Sequence, residues 1–432
     1  MAREMKDSGI EWIGEIPAEW GIRKIKNSFT VVSGATPKSE NPDYWDGDIP
    51  WITPADYKTI DKTVSTGKRF LSQAGYESCG TTLVPSGSIV FSKRAPVGTV
   101  AVADNELCTN QGCLSCIPKA QTDSLYFYYA MSVFTEQFEL VSTGTTFKEI
   151  PADTFSNFML PFPSAREQRI ISAFLDEECS RIDSVIDQTR ASIEEYKKLK
   201  QAVITQAVTK GIRPDRQMKD SGVEWIGEIP DSWDVLSFTK SIDSIVDYRG
   251  KTPEKQDEGT LLVTARNIKD GEIDYSISKE YVRTEDFDEI MHRGKVEIGD
   301  VLFTTEAPLG AVANADRTDF ALAQRIIKFR GKYGTLDNYY LKYWIMSDTF
   351  QQNLSTFSTG STALGIKASK LGMLKQVLPP FKEQRMIVEY LDSKMQLFAE
   401  LINQKKALLS SLESYKKSLI YEDVTGKKEV PA

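Results

Sequence analysis

Few residues in this chain have the type and spacing that chemistry requires. It has a single histidine, His292, set between Met291 and Arg293 in a polar stretch, which argues against Ser-His-Asp catalysis and multi-histidine metal sites. Cys108, Cys113 and Cys116 follow the C-x-x-x-x-C-x-x-C spacing of an iron–sulfur ligand run, with Cys79 or Cys179 available as a fourth thiolate. Asn41-Pro42-Asp43-Tyr44 approaches the N-P-P-[FY] loop that holds a target amino group, but its third residue is wrong and no glycine-rich cofactor loop precedes it. No G-x-x-x-x-G-K-[ST] loop occurs and no G-x-G-x-x-G follows a strand, so the backbone cradles that bind nucleotide phosphates are missing. The expectation is a chain with no catalytic residue, no metal and no cofactor of its own.

The elements that would position any site come from an internal repeat. Met5–Trp20 returns as Met218–Trp233 with 13 of 16 positions identical. GATP from Gly34 answers GKTP from Gly250, Ile52-Thr53 answers Val263-Thr264, and GSIVFSKRAPVGTV from Gly87 answers GDVLFTTEAPLGAV from Gly299. Further on, Gln111 answers Gln324, STGTT from Ser142 answers STGST from Ser358, and an EQR ending at Arg169 answers one ending at Arg385. Matching Gln111 with Gln324 sets the three cysteines opposite the apolar Ala321, Ile326 and Phe329, as expected of buried strand positions rather than ligands.

Each repeat opens with a globular segment of mixed α/β (α+β) type. Short β-branched runs, Ser88–Phe91 with Thr99–Ala103 and Val301–Thr304 with Ala311–Ala313, predict paired strands. Leu125–Leu140 and Leu336–Leu354 lack Gly and Pro and predict one helix per module. Each repeat closes on a long helix. Glu167 to Lys210 holds no Gly or Pro, and Leu175, Cys179, Ile182, Ile186, Ile193, Tyr196 and Val203 fall on a 4-3 spacing. Every one of these positions recurs 216 residues later, from Leu391 to Leu419, with polar slots Thr189/Lys405 and Lys200/Lys416 also matched. A strict 3.5-residue period over more than four heptads predicts a coiled coil between the two helices rather than packing of each on its own domain. If the two repeats occupy equivalent environments, the helices run antiparallel and bring the end of the second back near Met5, a pseudo-twofold arrangement. The boundaries are 1–163 for module one, 164–212 for helix one, 213–380 for module two and 381–432 for helix two.

Charge runs against a simple nucleic-acid binder. The 53 basic and 61 acidic residues leave a net charge of −8, and residues 1–163 (14 basic, 19 acidic) and 213–380 (22 and 26) carry −5 and −4. Five cysteines, an odd number, fit a reducing compartment. Arg3, Glu4, Lys6 and Asp7 at the start, and the lack of any run of eighteen apolar residues, predict a cytoplasmic protein with no signal peptide or membrane span.

The string G-x-TP, then YW-x-G-x-IPW-ITP-x-D between Tyr44 and Asp56, the paired WIGEIP-x-x-W segments, P-x-P-x-x-EQR-x-I opening a long helix and the VT near each helix end together resemble the specificity subunit of type I restriction–modification systems. The resemblance covers nearly the whole chain. It implies two target-recognition domains joined by two long helices forming an antiparallel coiled coil. It also implies a bipartite, asymmetric site on double-stranded DNA, two adenine-modifying methyltransferase subunits and, in the full complex, two ATP-dependent translocase-nuclease (restriction) subunits. Phosphate affinity would then come largely from those partners. The rival reading is a scaffold with two protein-binding domains spaced by a coiled coil, which the acidic balance favours and the motif string disfavours.

Base reading needs donors and acceptors on exposed loops. In module one the candidates are Thr36, Lys38, Trp45, Thr53, Asp56, Lys93, Arg94, the turn Thr143, Gly144, Thr145, Thr146, and Lys148. In module two they are Arg249, Lys251, Thr252, Thr264, Arg266, Asn267, Thr305, the turn Thr359, Gly360, Ser361, Thr362, and Lys367 with Lys370. Gly34, Pro37, Gly250 and Pro253 read as turn formers, and Trp12, Trp20, Trp225 and Trp233 as packing residues. Arg94 stands opposite Glu306 and Arg266 opposite Ala55, the divergence that two modules reading different bases require.

Overall fold

The β-branched runs form strands because their alternating side chains each find an apolar layer to enter. The computed structural model of the chain describes residues 3–58, 61–94, 96–144, 148–248, 253–360 and 364–431. In module one the strands are β1 (Phe29–Ser33), β2 (Trp45–Ile52), β3 (Thr63–Val64), β4 (Arg69–Leu71), β5 (Ile89–Ser92), β6 (Val100–Ala103), β7 (Cys108–Thr109) and β8 (Cys113–Pro118). One sheet has the order β1-β8-β5-β6-β3, antiparallel except for the β6–β3 pair, and a second has the order β7-β2-β4. Odd and even residues separate cleanly. Ile89, Phe91, Val100, Val102, Leu114 and Cys116 enter one core; Val90, Ala101, Ala103 and Cys113 enter another on the opposite face.

Module two repeats the plan with β9 (Ile242–Asp247), β10 (Thr260–Val263), β11 (Tyr281–Val282), β12 (Val301–Thr305), β13 (Leu309–Asn314), β14 (Phe320–Leu322) and β15 (Ile326–Gly331). Its sheets run β9-β15-β12-β13 and β11-β10-β14. The same partition holds: Val301, Phe303, Ile327 and Phe329 face one core, Leu302, Ala313 and Ile326 the other.

The aromatic stretches depart from expectation, each forming two helices instead of one. In module one α1 (Ser124–Val133) ends at Phe134, whose φ −97° and ψ 23° are not helical, and a second short helix covers Thr135–Leu140. In module two α3 (Asn338–Met346) is followed by Asp348–Thr356, and Ser347 makes the break. Its hydroxyl donates to the Trp344 carbonyl at 2.6 Å and accepts from Phe350 N–H at 3.2 Å, so one side chain closes the first helix and caps the next.

The long helices are α2 (Ala165–Lys210, 46 residues) and α4 (Phe381–Val424, 44 residues). The chain divides into two compact units, Met1–Thr189 with Ala407–Ala432, and Arg190–Lys406. Each unit therefore holds one module, the first half of that module's own helix and the last half of the other. In the first unit Leu175, Cys179, Ile182 and Ile186 of α2 share a core with Leu419, Ile420 and Val424 of α4. Lys416 Nζ sits 2.6 Å from Asp183, and the Tyr126 hydroxyl donates to the Val424 carbonyl at 2.8 Å. In the second unit Ile204, Ala207 and Val208 of α2 join Ile387 and Leu391 of α4, and the Tyr340 hydroxyl donates to the Val208 carbonyl at 3.2 Å. The end of one helix thus meets the start of the other in both units, the antiparallel pairing the repeat implied. Gly426 follows α4 at φ +71°, where a β-carbon would lie 2.5 Å from Pro17, so the C-terminal turn packs against the opening segment that follows Met5.

The duplicated motifs serve these junctions. The Trp20 indole N–H donates to Glu167 at 2.9 Å and that of Trp233 to Glu383 at 3.0 Å, with Arg3 and Arg216 on the same carboxylates. Burial pushes the Glu167 carboxyl up, but the bonds from Trp20, Ser164 and Arg3 outweigh it and hold it below its usual range. The next residue of the EQR motif is fully buried. Gln168 accepts from Asp123 N–H and Gln384 from Asp337 N–H, both at 2.8 Å, tying α1 and α3 to the long helices.

Candidate nucleic-acid interface

Three loops meet at the same edge of each module: the turn after β2 or β10, the turn before β8 or β15, and the loop after β5 or β12 with the Ser-Thr-Gly arm beside it. The first turn is latched internally. In module one Asp56 accepts from the Thr53 N–H (2.8 Å) and hydroxyl (2.7 Å) and from Lys68 N–H (3.1 Å). In module two Asn267 accepts from the N–H and hydroxyl of Thr264, both at 2.9 Å, and donates to the carbonyls of Asp274 and Ser278. Asn267 has no exposed surface. It holds the turn and does not face solvent, as expected of a polar group whose partners are all inside.

Trp45 and Thr305 are also interior. Trp45 is 5% exposed, edge-on to Trp51 at 5.1 Å and beneath the Arg69 guanidinium at 3.3 Å. Thr305 is 2% exposed, and its N–H and hydroxyl both donate to the Arg325 carbonyl. Sequence reasoning placed these three residues at the surface because they sit among turn signals; their burial comes from how neighbouring turns and strands fold over them.

The remaining module-one candidates lie at the edge. Thr36 donates to the Gln111 side-chain carbonyl. Lys93 and Arg94 both pair with Glu149, at 2.8 and 3.0 Å, and these bonds, that of Lys93 foremost, hold the Glu149 carboxyl below its usual value. Thr143 exchanges both backbone bonds with Glu149 at 2.9 Å, so the arm carrying Gly144 folds back on the Lys93–Arg94 loop. Lys148 lies 3.8 Å from Glu139, and Lys38 is exposed with no side-chain partner among the described residues. Thr145 and Thr146 lie outside the described residues.

In module two Thr359 and Gly365 repeat the arm's backbone exchange at 2.9 Å. Lys367 and Lys370 are exposed, while Arg249, Lys251, Thr252, Ser361 and Thr362 lie outside the described residues. Arg266 is exposed at a cleft of about 240 Å3 that Lys255, Thr264, Glu280, Gln324 and Arg325 also line. Lys255 pairs with Glu280 and Arg325 with Glu306, each at 2.8 Å; Arg266 has no ion pair among the described residues. Arg325 escaped the sequence reading although it directly follows Gln324 and stands opposite Gly112, the same kind of divergence that singled out Arg266.

The chemistry-like motifs resolve into packing. Cys108, Cys113 and Cys116 enter three different apolar clusters, and burial pushes the Cys108 and Cys113 thiols up to about 11 and 12 and Cys116 higher still. Such thiols are poor thiolate ligands. Asn41 caps a short turn over Pro42–Tyr44 by accepting from Asp43 N–H at 3.1 Å. His292 is exposed, its Nδ1 2.6 Å from the Glu289 carbonyl. No helix among the described residues is long and apolar enough to cross a membrane.

A duplicated recognition-type module, each copy ending in a long helix that pairs antiparallel with the other, defines a class of protein. A family model described as the type I restriction modification DNA specificity domain matches residues 17–195 and 239–411, and the chain belongs to this family. It is similar to the type I restriction enzyme MjaIX specificity subunit of Methanocaldococcus jannaschii, 37% identical over 190 residues that make up 43% of this chain and 43% of that protein. It also resembles the MjaVIII specificity subunit of that organism, 25% identical over 278 residues (63% of each), so the chain spans less than two thirds of either relative. The Escherichia coli EcoBI specificity subunit is 25% identical over 341 residues, 73% of this chain and 69% of that protein. Among solved structures, a chain from work on complex assembly and conformational transition of the type I R-M system has a TM-score of 0.74 at 15% identity, covering 96% of this chain and 99% of that one. The HsdS subunit from Thermoanaerobacter tengcongensis has a TM-score of 0.53 at 16% identity, with 96% and 98% covered. These likenesses establish the fold.

Proposed function

We propose that the chain is the sequence-specific DNA-recognition subunit of a type I restriction–modification complex. Each module reads one half of a bipartite, asymmetric site, and the paired helices position two methyltransferase subunits and two restriction subunits in the cytoplasm. The chain itself performs no chemistry. The observation that carries the reading is one loop framework built twice, with the same Thr53–Asp56 and Thr264–Asn267 latches, bearing different residues at matching places: the exposed Ala55 and the buried Gly112 in one copy, the exposed Arg266 and Arg325 in the other. A shared frame with divergent donors is what two different half-sites demand. The acidic balance fits a division of labour in which partner subunits supply phosphate attraction and this chain supplies base choice.

The test is methylation mapping with the full chain in complex with the modification subunits of its system, beside calorimetry on the chain alone. The expected target has two short, unlike half-sites about one helical turn apart. The isolated chain should bind neither S-adenosylmethionine nor ATP at micromolar concentration. A single undivided site, or methylation without the chain at the same sequence, would overturn the proposal.

A further inference from the structure

Arg325 is placed at the module-two cleft by contacts at both ends of the residue. Its carbonyl accepts from the N–H of the buried Thr305 at 2.9 Å and from its hydroxyl at 3.2 Å, which fixes where the side chain starts. Its Nε lies 2.8 Å from a Glu306 carboxylate oxygen, and the guanidinium is half exposed. No hydrogen bond to either terminal nitrogen is present among the described residues. A guanidinium whose Nε lies against a carboxylate, and whose Nη atoms make no hydrogen bond among the described residues, can offer those two nitrogens end-on, the geometry that meets O6 and N7 on the major-groove edge of guanine.

The neighbouring carboxylate sharpens the choice of ligand. A backbone phosphate approaching Arg325 would meet the negative charge of Glu306, whereas the neutral edge of a base would not. Arg266, across the cleft, adds a second exposed guanidinium without an ion pair among the described residues. In module one the matching positions are Gly112 and Ala55. There a β-carbon on Gly112 would lie 3.0 Å from Pro54, so the two turns close directly on each other.

We infer that Arg325 is a specificity-determining residue that reads a guanine in the half-site of module two, with Glu306 and Thr305 as its positioning residues, and that module one makes no such contact at the matching place. The inference rests on the DNA-recognition reading above.

The experiment maps methylated sites for the full chain in complex with the modification subunits of its system, comparing wild type with Arg325→Ala, Arg325→Lys, Arg325→Gln and Glu306→Gln. Arg325→Ala is expected to cut discrimination at one position of one half-site by about ten- to a hundredfold, leaving the other half-site unchanged, and that position should carry a guanine on one strand. Lysine should not restore it, because a point charge lacks the fork. Arg325→Gln should move the preference toward adenine, whose N6 and N7 a carboxamide matches. Glu306→Gln should weaken discrimination at the same position while strengthening binding to unrelated DNA, which loss of packing alone would not do. Even weakening on all sequences with the salt slope reduced by about one would mark Arg325 as a phosphate contact and overturn the inference. So would an affected position with no guanine on either strand, or an unchanged map. A wild-type complex that marks DNA without sequence preference would overturn the recognition reading, and this one with it.

Discussion

The two loop edges differ in where they place one carboxylate. In module one it is Glu149, on the Ser-Thr-Gly-Thr-Thr arm, and it binds both Lys93 and Arg94. In module two the matching arm position is Gly365 and the carboxylate has moved to the loop, as Glu306, where it binds Arg325 from the third loop. The backbone bonds around these groups are the same: Ile150 N–H to the Lys93 carbonyl and Ile366 N–H to the Thr305 carbonyl, each at 3.0 Å. One frame thus tolerates a complete exchange of charge because main-chain bonds hold it. In module one the cations are drawn together on the arm. In module two they are spread around an open cleft.

If the frame is common and only its outward groups differ, damage to the frame should be large and alike in both modules. Trp20→Ala and Trp233→Ala each remove a buried indole and its bond to the long helix. Each should destabilise its own unit by about 3–5 kcal/mol, seen as early melting of one calorimetric transition. A difference between the two much beyond 1 kcal/mol would show that the frames are not equivalent.

The helix ends provide a smaller contrast. Asp423, near the end of α4, is buried with neither carboxylate oxygen hydrogen-bonded, whereas the matching residue of α2 is Ala207. Burial raises the Asp423 carboxyl to about 7. A raised acid leaves the fold unpenalised below the ordinary carboxyl value and costs stability increasingly as pH climbs toward 7. Asp423→Ala should therefore stabilise the first unit by roughly 1–3 kcal/mol at pH 8 and much less at pH 4. Equal melting shifts at both pH values would exclude ionisation as the cause.

A third expectation concerns the helix seam. Lys416 bonds Asp183, and the residue matching Lys416 in α2 is Lys200. A truncated chain ending near Arg213 can pair α2 antiparallel with its own copy and keep this bond twice, Lys200 to Asp183 of the second copy. Sedimentation should show a homodimer, and with modification subunits it should mark an interrupted palindrome of one half-site. Asp183→Lys should weaken the dimer, by about 0.2–1 kcal/mol per lost exposed pair plus like-charge repulsion. A monomeric truncation would end the equivalence of the two helices.

The smallest effect falls on the arms. Lys93 and Arg94 depress the Glu149 carboxyl, so their contribution is present above the ordinary carboxylate value and is lost as pH falls through the lowered one. Hydrogen exchange at the Thr143 and Glu149 amides should quicken below about pH 4, by less than about 1 kcal/mol of opening energy. The Thr359 and Gly365 amides, where Gly365 replaces Glu149, should show no matching step once the intrinsic pH dependence is removed. A parallel step in both arms would refute the assignment to Glu149.

The repeat made most of the architecture legible. Periodicity of 3.5 marked both long helices, and β-branched runs marked the paired strands β5–β6 and β12–β13, because these signals are local. The break at Ser347 was not legible, since a hydroxyl that caps a helix has no periodic signature, and that at Phe134 was not because no side chain caps the second helix there. At the loop edge, Arg266 and the Lys93–Arg94 loop lie where the sequence placed them, on a surface loop, whereas Asn267, Trp45 and Thr305, also expected at the surface, are interior. A polar side chain inside a turn and one on its outside have the same neighbours in sequence; only the carbonyls of Asp274, Ser278 and Arg325 tell them apart.

The exchange of helix ends sets an order on the making of this molecule. The second unit is one unbroken stretch, Arg190–Lys406, and has all its parts once that stretch has left the ribosome. The first unit, though begun before it, needs Leu419, Ile420 and Val424, translated only after the whole of the second unit, to cover Ile171, Leu175 and Cys179. Of the two units, the one begun first is therefore finished second, with part of its core open to solvent while the other is made. A stop codon just past Lys406 would spare the second unit and leave the first, whose own module is complete in sequence, without the end of its core.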